Sequence, residues 1–432
     1  MAVDPRLELP IPAYRGRSLG NLASTLWSLQ FLAGPGPPLP PLEARLDPFE
    51  GRPPAGSVVL VLLDGLGWNA LGAAAERSPD GTGSRWIEHA RPITSVFPTT
   101  TTVALTSLFS GAAPAQHGVV GHRVFLPRFG TVVELLRMSP LGVRPAEALV
   151  GPDWAPEMIS AVPTIFRRGA RGVVLSRDRF EGSGFSRTIY DGATFVPYST
   201  GSDLALALAE TLSCPEPPPL VVVYRDDLDV VQHVRGTRLD LIDLELERMG
   251  HILSFVARHV PPRVAQRTTL IVTGDHGQVP IAADRQLSVD REPSILEHLS
   301  RPPSGDRRAA YLSARPGHLA HLREAVAARL PPGGRIVDLP EAVESGLFGP
   351  PPFHPELSER LGDLLVLFPS PGGVSYSVPG ARSRPRRMIS AHGGLEAEEL
   401  IVPLVSGALA ELSGDRAETP HQPRHPPSSA VP

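Results

Sequence analysis

A single cysteine, no lysine and no long apolar run set the first limits on this 432-residue chain. Cys214, alone, excludes an intrachain disulfide and any cysteine-rich metal site. With lysine absent, all 41 basic residues are arginine, set against 45 acidic ones for a net charge of −4. That balance holds no basic surplus for a phosphate backbone or an anionic surface, so neither a stable nucleic-acid complex nor a membrane partner is expected. The longest apolar run, Val58 to Leu63, falls far short of the roughly 20 residues that span a bilayer. The N-terminal stretch MAVDPRLELPIPAYRGRSLG carries no apolar core after its first basic residue and does not read as a secretory signal, so a cytoplasmic protein is expected.

What is present suits a large globular core. Apolar residues make up 41% and charged residues 20%, enough to bury one extensive core and to solvate its outside. Four runs, Val58–Leu63, Gly172–Leu175, Leu220–Tyr224 and Thr269–Thr273, are nearly unbroken in apolar character, as strands covered on both faces are. Helical patterns fall between them at Thr101–Ser110, Ser202–Leu212 and Arg238–Ala257, and the alternation predicts a layered α/β fold with a mostly parallel central sheet. Residues 34–55 are rich in proline and glycine, so residues 1–54 are expected to be an extended lead-in to a catalytic domain over 55–412. Between 285 and 385, strand-like AAYLSA, helix-like LAHLREAVAARL, and strand-like RIVDL and DLLVLF lie between proline-rich joints. They predict a small inserted α/β subdomain, and the proline-rich residues 413–432 predict a disordered tail.

Acidic residues and histidines stand directly after the buried strands, where open α/β sheets gather their ligand-binding groups. Asp64 follows VVLVLL; Asp229 and His233 follow LVVVY; Asp275 and His276 follow TLIVT; His392 stands in ISAHGG ahead of LIVPLV. Taken singly, an aspartate here caps a helix or fills a turn. The i, i+4 spacing of Asp229 and His233 puts both on one helical face, and three aspartates with three histidines suit zinc, manganese or iron, two ions better than one. Two ions about 3.5–4 Å apart clamp the attacking and leaving oxygens of an in-line displacement. The segment TSVFPTTTTVALTSLFSG, residues 94–111, puts a threonine run at the start of a helix that closes at Gly111. A hydroxyl there stands beside free N–H groups that hold a phosphate oxygen, although a plain capping run would look the same.

These blocks, LLDG, FPTTTTVALTSLFSGAAPAQHGVVG, YRDDLDVVQHVRG and VTGDHG with a late AHGG, resemble in order those of the alkaline phosphatase superfamily, in its nucleotide pyrophosphatase/phosphodiesterase branch. The resemblance covers residues 55–406. It implies an alkaline phosphatase-like three-layer α/β/α sandwich and a hydrolase acting on a small phosphodiester, pyrophosphate or nucleotide substrate. It further implies Thr101 as nucleophile ahead of Thr100 and Thr102. One divalent ion would be held by Asp229, His233 and His392, and a second by Asp64, Asp275 and His276, zinc being the expected metal. Thr102 and His122 are the expected substrate contacts. His122 stands where this branch commonly has asparagine, which leaves substrate preference and pH optimum open. No arginine follows Thr101 closely, as it does in phosphomonoester specialists, which favours diesters or pyrophosphates. The sulfatase motif Cys-x-Pro-x-Arg is absent.

Other readings stay open at this level: a phosphomonoesterase, phosphonate hydrolase or phosphomutase of the same superfamily, or a non-catalytic metal-binding relative. Gly65, Gly67 and Ala70 also match a dinucleotide-binding fingerprint, with Glu88 in place for a ribose. Asp226 and Asp227 read as caps or supports of the Asp229 helix, and His251, His259, Trp68 and Phe125 as packing or surface residues.

Overall fold

In a computed structural model, which describes residues 2–4, 9–30, 35–378 and 388–414, the apolar run Val58–Leu63 forms a strand, β1, buried at every position. It joins β2 (Ala90–Thr94), β3 (Gly172–Arg177), β4 (Thr194–Tyr198), β5 (Leu220–Arg225), β6 (Thr269–Thr273) and β7 (Ile401–Ala408). The sheet order is β2-β7-β6-β1-β5-β3-β4. Pairing is parallel from β6 through β4, and β7 runs antiparallel to both β6 and β2.

The missing polar alternation of β1 has a direct cause. Val58, Leu60 and Leu62 point into one apolar cluster, and Val59, Val61 and Leu63 into another on the opposite face. Helices cover both. On the first face lie α1 (Leu19–Ser28) and, further along the chain than α2 (Trp68–Arg77), α3 (Thr101–Ser110). On the second lie α2, α4 (Gly201–Ser213) and, after the short α5 (Asp227–Arg235), the long α6 (Leu239–His259). The expected three-layer α/β/α sandwich with a mostly parallel sheet is the fold observed.

Two expected boundaries come out differently. Residues 1–54 are not extended throughout, because α1 places Leu19, Leu22, Ala23 and Leu26 at i, i+3, i+4 and i+7, all buried against the main core. Ser18 starts it, its N–H donating to Asn21 Oδ1 at 2.9 Å. Buried Asn21, Ser24 and Thr25 between the leucines hide that stripe from a composition-based reading. The second difference concerns 285–385, which does not close on itself. Its strands Ser304–Gly305, Ala309–Leu312, Arg335–Asp338 and Leu364–Leu367 join Arg123–Leu126, Thr131–Glu134 and Ser139–Pro140 in one antiparallel seven-stranded sheet. Side-chain alternation explains the docking. Ala309, Tyr311, Leu365 and Leu367 point into the main core, while Ala310, Leu312, Leu364 and Val366 point into a small separate cluster with Leu322 and Val326. Residues 379–385 of that segment, and 415–432 of the expected tail, lie outside the described residues.

A buried ion pair fastens this second sheet to the central one. Arg308, fully buried, donates to Glu399 at 2.9 Å and to Glu396 at 2.7 Å, and Glu399 also accepts the Gly394 N–H at 2.8 Å. Among the described residues no helix is long and apolar enough to cross a membrane. Because α1 seals one face of the core, Leu22→Ala is expected to lower the unfolding free energy by about 2–5 kcal/mol in urea melts. A loss below about 0.5 kcal/mol, the size of a surface effect, would show that α1 contributes no core packing.

Candidate active site

Leu62 of β1 pairs with Tyr224 of β5 on one side and Thr273 of β6 on the other. The residues just past these strands therefore emerge side by side at one edge of the sheet, at the point where the chain diverges to either side of β1. Asp64, Asp275 and His276 meet there, all buried, with their ligand atoms within 4.8 Å of one another. His276 Nε2 lies 3.3 Å from Asp275 Oδ2 and 3.6 Å from Asp64 Oδ1. Thr101 Oγ1 lies 3.2 Å from the same His276 nitrogen.

A second set, Asp229, His276 and His392, is gathered equally closely. It differs in one member from the expected trio of Asp229, His233 and His392. His276 stacks on His392 with ring centroids 3.8 Å apart, so one imidazole reaches both carboxylate groups. His233 remains adjacent, its Nε2 3.2 Å from Asp229 Oδ1 and its ring 5.1 Å from that of His392.

Each histidine is held from behind. His233 Nδ1 bonds to the Ser390 carbonyl at 3.0 Å, His392 Nδ1 to that of Thr99 at 3.0 Å, and His276 Nδ1 to that of Gly277 at 3.1 Å. With Nδ1–H donating, Nε2 keeps its lone pair and faces the carboxylates. The aspartates are anchored through one oxygen each. Asp64 Oδ2 accepts from Tyr224 Oη at 2.5 Å; Asp275 Oδ1 accepts from the Gly65 and His276 N–H groups at 3.0 and 2.9 Å. Their other oxygens, Asp64 Oδ1 and Asp275 Oδ2, are buried without a hydrogen-bond partner among the described residues. Bare carboxylate oxygens opposite imidazole lone pairs repel unless a cation lies between them, so the donor set fits divalent metal.

The titration of these groups carries the same strain. Burial, then the Asp275 and Asp229 charges, push Asp64 well above the ordinary carboxyl range, and burial likewise raises Asp275. Burial works against ionised Asp229 too, but the His233 imidazole beside it, with His392 and His276, outweighs burial and draws it below that range. Burial and the neighbouring His276 push His392 down to about 3. His233 is opposed by burial yet raised by Asp229.

Thr101 opens α3, with Thr100 extended at the N-cap and Gly111 left-handed at φ 63° closing it. Thr101 is 7% exposed and lines two cavities, one of about 780 Å³ and one of about 270 Å³. Val103 and Ala104 N–H groups are taken by the Thr100 carbonyl, which leaves those of Thr101 and Thr102 without an intrahelical acceptor. The Thr102 hydroxyl donates to the Gly121 carbonyl at 2.9 Å, so Thr102 offers a ligand its backbone and not its side chain. His122 lines the larger cavity with Thr100 and Thr101, and burial pushes its imidazole below the usual histidine range.

The remaining candidates have structural uses. Asp227 pairs with Arg225 at 2.7 Å and Arg177 at 2.5 Å, and Asp226 with Arg179. His251 and His259 are exposed on α6, Trp68 packs against the second cluster, and Phe125 lies under Arg301. The dinucleotide fingerprint is spent on packing: Gly65 turns at φ 81° to give its N–H to Asp275, and a Cβ on Gly67 would lie 2.8 Å from the Glu398 carbonyl. Sequence reasoning missed Thr99, Gln278, Ser390 and Asp306. Gln278 bonds the Asp229 carboxylate and accepts from Ser390 Oγ at 2.5 Å. Only Gln278, directly after GDHG, carried any signal.

A family model for type I phosphodiesterase / nucleotide pyrophosphatase matches residues 58–394. Comparison with curated protein sequences gave no match. Among solved structures, murine ectonucleotide pyrophosphatase/phosphodiesterase 5 aligns with TM-score 0.62 and 18% identity, over 81% of this chain and 87% of its own. The human protein of that name aligns over the same shares with TM-score 0.58 and 15% identity. An inactive threonine-to-alanine variant of the murine protein in complex with AMP gives 0.61 and 17%, again over 81% and 87%. At these identities the likeness is one of fold.

A carboxyl raised on folding gives its full stability below its unfolded value and loses it as pH rises through the folded one. With divalent cations chelated, Asp64→Asn is therefore expected to raise the melting temperature near about pH 8, and the gain should shrink towards about pH 4. Thermal melts in chelator at both values check this; a variant that melts lower at the higher pH contradicts it.

Proposed function

Because the chain belongs to the type I phosphodiesterase / nucleotide pyrophosphatase family, a branch of the alkaline phosphatase superfamily, and is a hydrolase of that type, we propose that it cleaves small phosphodiester or pyrophosphate substrates through a covalent phosphothreonine at Thr101. The observation that carries this reading is the Thr101 hydroxyl at the start of α3, 3.2 Å from His276 and facing both sets of acid and imidazole ligands.

The chemistry follows from what each residue can do. The first-turn N–H groups of Thr101 and Thr102, at the positive end of the helix dipole, receive a phosphate oxygen. His122, neutral at ordinary pH because burial disfavours its charge, donates one ring N–H to a non-bridging oxygen. Thr101 Oγ1, its proton released to solvent, forms the bond to phosphorus; the bond to the leaving oxygen breaks, and that oxygen keeps the electron pair. Water then attacks phosphorus from the vacated side, the bond to Oγ1 breaks, and Oγ1 regains a proton from that water. Two divalent cations, held by Asp64, Asp275 and His276 and by Asp229, His233 and His392, would supply charge stabilisation to the attacking and leaving oxygens, and zinc, manganese or iron suits these donors.

A substrate with groups on both sides of phosphorus is favoured over a monoester. Thr101 and Asp229 border both cavities, and the smaller is walled by Leu105, Phe180, Phe185, Ile189 and Tyr190, an apolar seat for an organic group. The inactivity of the murine threonine-to-alanine variant agrees with a threonine nucleophile.

Bis-p-nitrophenyl phosphate tests the reading. Thr101→Ala should lose at least about a thousandfold in kcat while keeping the wild-type melting curve and metal content, about two ions per chain. Full activity in that variant would remove Thr101 from the nucleophile's role.

A further inference from the structure

Away from Thr101, three histidines converge beside the small separate cluster of the second sheet. His298 lies just past the short helix Pro293–Leu296; His318 is the N-cap of the helix Leu319–Ala327, and His321 stands on its first turn. Backbone bonds fix where they sit. The Arg315 N–H donates to the His298 carbonyl, the His318 N–H to the Arg315 carbonyl and the Leu322 N–H to that of His318, each at 2.9 Å. Leu322 and Val326 anchor the helix in the cluster, and Ile295 and Leu299 anchor the segment around His298 in the same place. The imidazoles of His298 and His318 are therefore held half-buried against each other, and His321, beside buried Leu322, is left exposed. None of the three lines either cavity bordered by Thr101.

We propose that His298, His318 and His321 form a metal site separate from the active site, taking one divalent transition ion of the zinc, nickel or copper class. Two of the ligand atoms are already placed: His298 Nδ1 lies 2.9 Å from His318 Nδ1, so a proton must sit between two nitrogens that would otherwise set lone pair against lone pair. An ion bound at about 2.0–2.1 Å by each would take that proton's place and open the pair to about 3.3 Å. Ring centroids are 5.1 Å apart for His298 and His318, 5.5 Å for His298 and His321, and 6.1 Å for His318 and His321. Imidazoles on one tetrahedral ion hold their centroids about 5 Å apart, and the rings of His233 and His392 stand at 5.1 Å. The third nitrogen comes from His321, whose exposed ring is held by no hydrogen bond or ion pair among the described residues and turns freely towards the pair. Glu297 Oε1, 3.8 Å from His298 Nε2, favours the proton on that nitrogen and leaves Nδ1 to the cation. Arg315 is engaged elsewhere, its Nε donating to the Leu299 carbonyl at 3.0 Å. A nitrogen-only donor set does not suit magnesium or calcium, which take oxygen, and the ion would staple the 297–299 segment to the start of the helix.

The test loads the full chain with zinc, dialyses away the excess and counts the metal per chain in wild type, His318→Ala and His321→Ala. Melting curves in chelator show that each variant is folded. Wild type should retain one zinc per chain more than His318→Ala. His321→Ala, a change at an exposed position on which no packing depends, should weaken that extra zinc at least about tenfold in competition with a chromophoric chelator, as the loss of a metal's supporting groups does. Equal zinc content in wild type and His318→Ala overturns the site. Extra zinc whose affinity His321→Ala leaves unmoved also overturns it, reducing it to an adventitious contact with two histidines. Both comparisons are differences between chains with the same active site, so neither depends on Thr101 being the nucleophile.

Discussion

Carboxylates forced together out of water govern this molecule. Asp64, Asp229 and Asp275 emerge at one edge of three adjacent strands, where burial and mutual repulsion work against holding three charges at once. No rearrangement of a parallel sheet relieves that, because the strand register fixes where each residue past the strand end must stand. Positive charge is the remedy the geometry leaves, and the imidazoles of His233, His276 and His392 are turned towards it. Such a centre is costly to fold and useful to keep, as buried ionic groups at functional sites commonly are.

Much of the surrounding structure serves to hold those groups still. Backbone carbonyls fix all three imidazoles through Nδ1, Tyr224 and Gly65 each pin one aspartate oxygen, and Gln278 ties Asp229 to Ser390. The Arg308–Glu399 pair extends the same logic outward. It locks the second sheet to the Gly394 backbone, two residues beyond His392, so the wall of the large cavity and one candidate ligand share a support. Breaking either partner would strand a buried charge, a loss that ordinarily amounts to about 3–5 kcal/mol.

The two cavities divide the surroundings of Thr101 by chemistry. Aromatic and aliphatic side chains build most of one, arginines, carboxylates, imidazoles and hydroxyls the other, and the nucleophile candidate borders both. Short-range sequence could not announce that division. Its polar wall is assembled from 123, 286–291, 304–307 and 374–377: Arg123 and Gly305 meet because the second sheet pairs them, and 286–288 and 373–375 because they form a two-stranded parallel sheet of their own.

The chain's own pattern determined the sheet and most of the candidate ligands. Unbroken apolar runs define strands buried on both faces, and ligand-bearing residues after β1, β5 and β6 are legible because a parallel sheet presents its strand ends on one side. The helix over Thr101–Ser110 was equally legible from its threonine start and Gly111 stop. Tertiary structure alone decided the rest. Helix α1 was hidden because buried Asn21, Ser24 and Thr25 interrupt its apolar stripe, their polar groups satisfied by distant or local backbone. His276 enters both ligand sets through a ring stacking that no spacing encodes. Asp306 and Arg307 reach the site because Gly121 and Gly305, far apart in sequence, let their segments approach within backbone contact, a Cβ on Gly121 lying only 2.8 Å from Gly305 Cα. Periodicity reports which face of an element is buried; which distant element buries it, and which side chains thereby meet, is settled by packing.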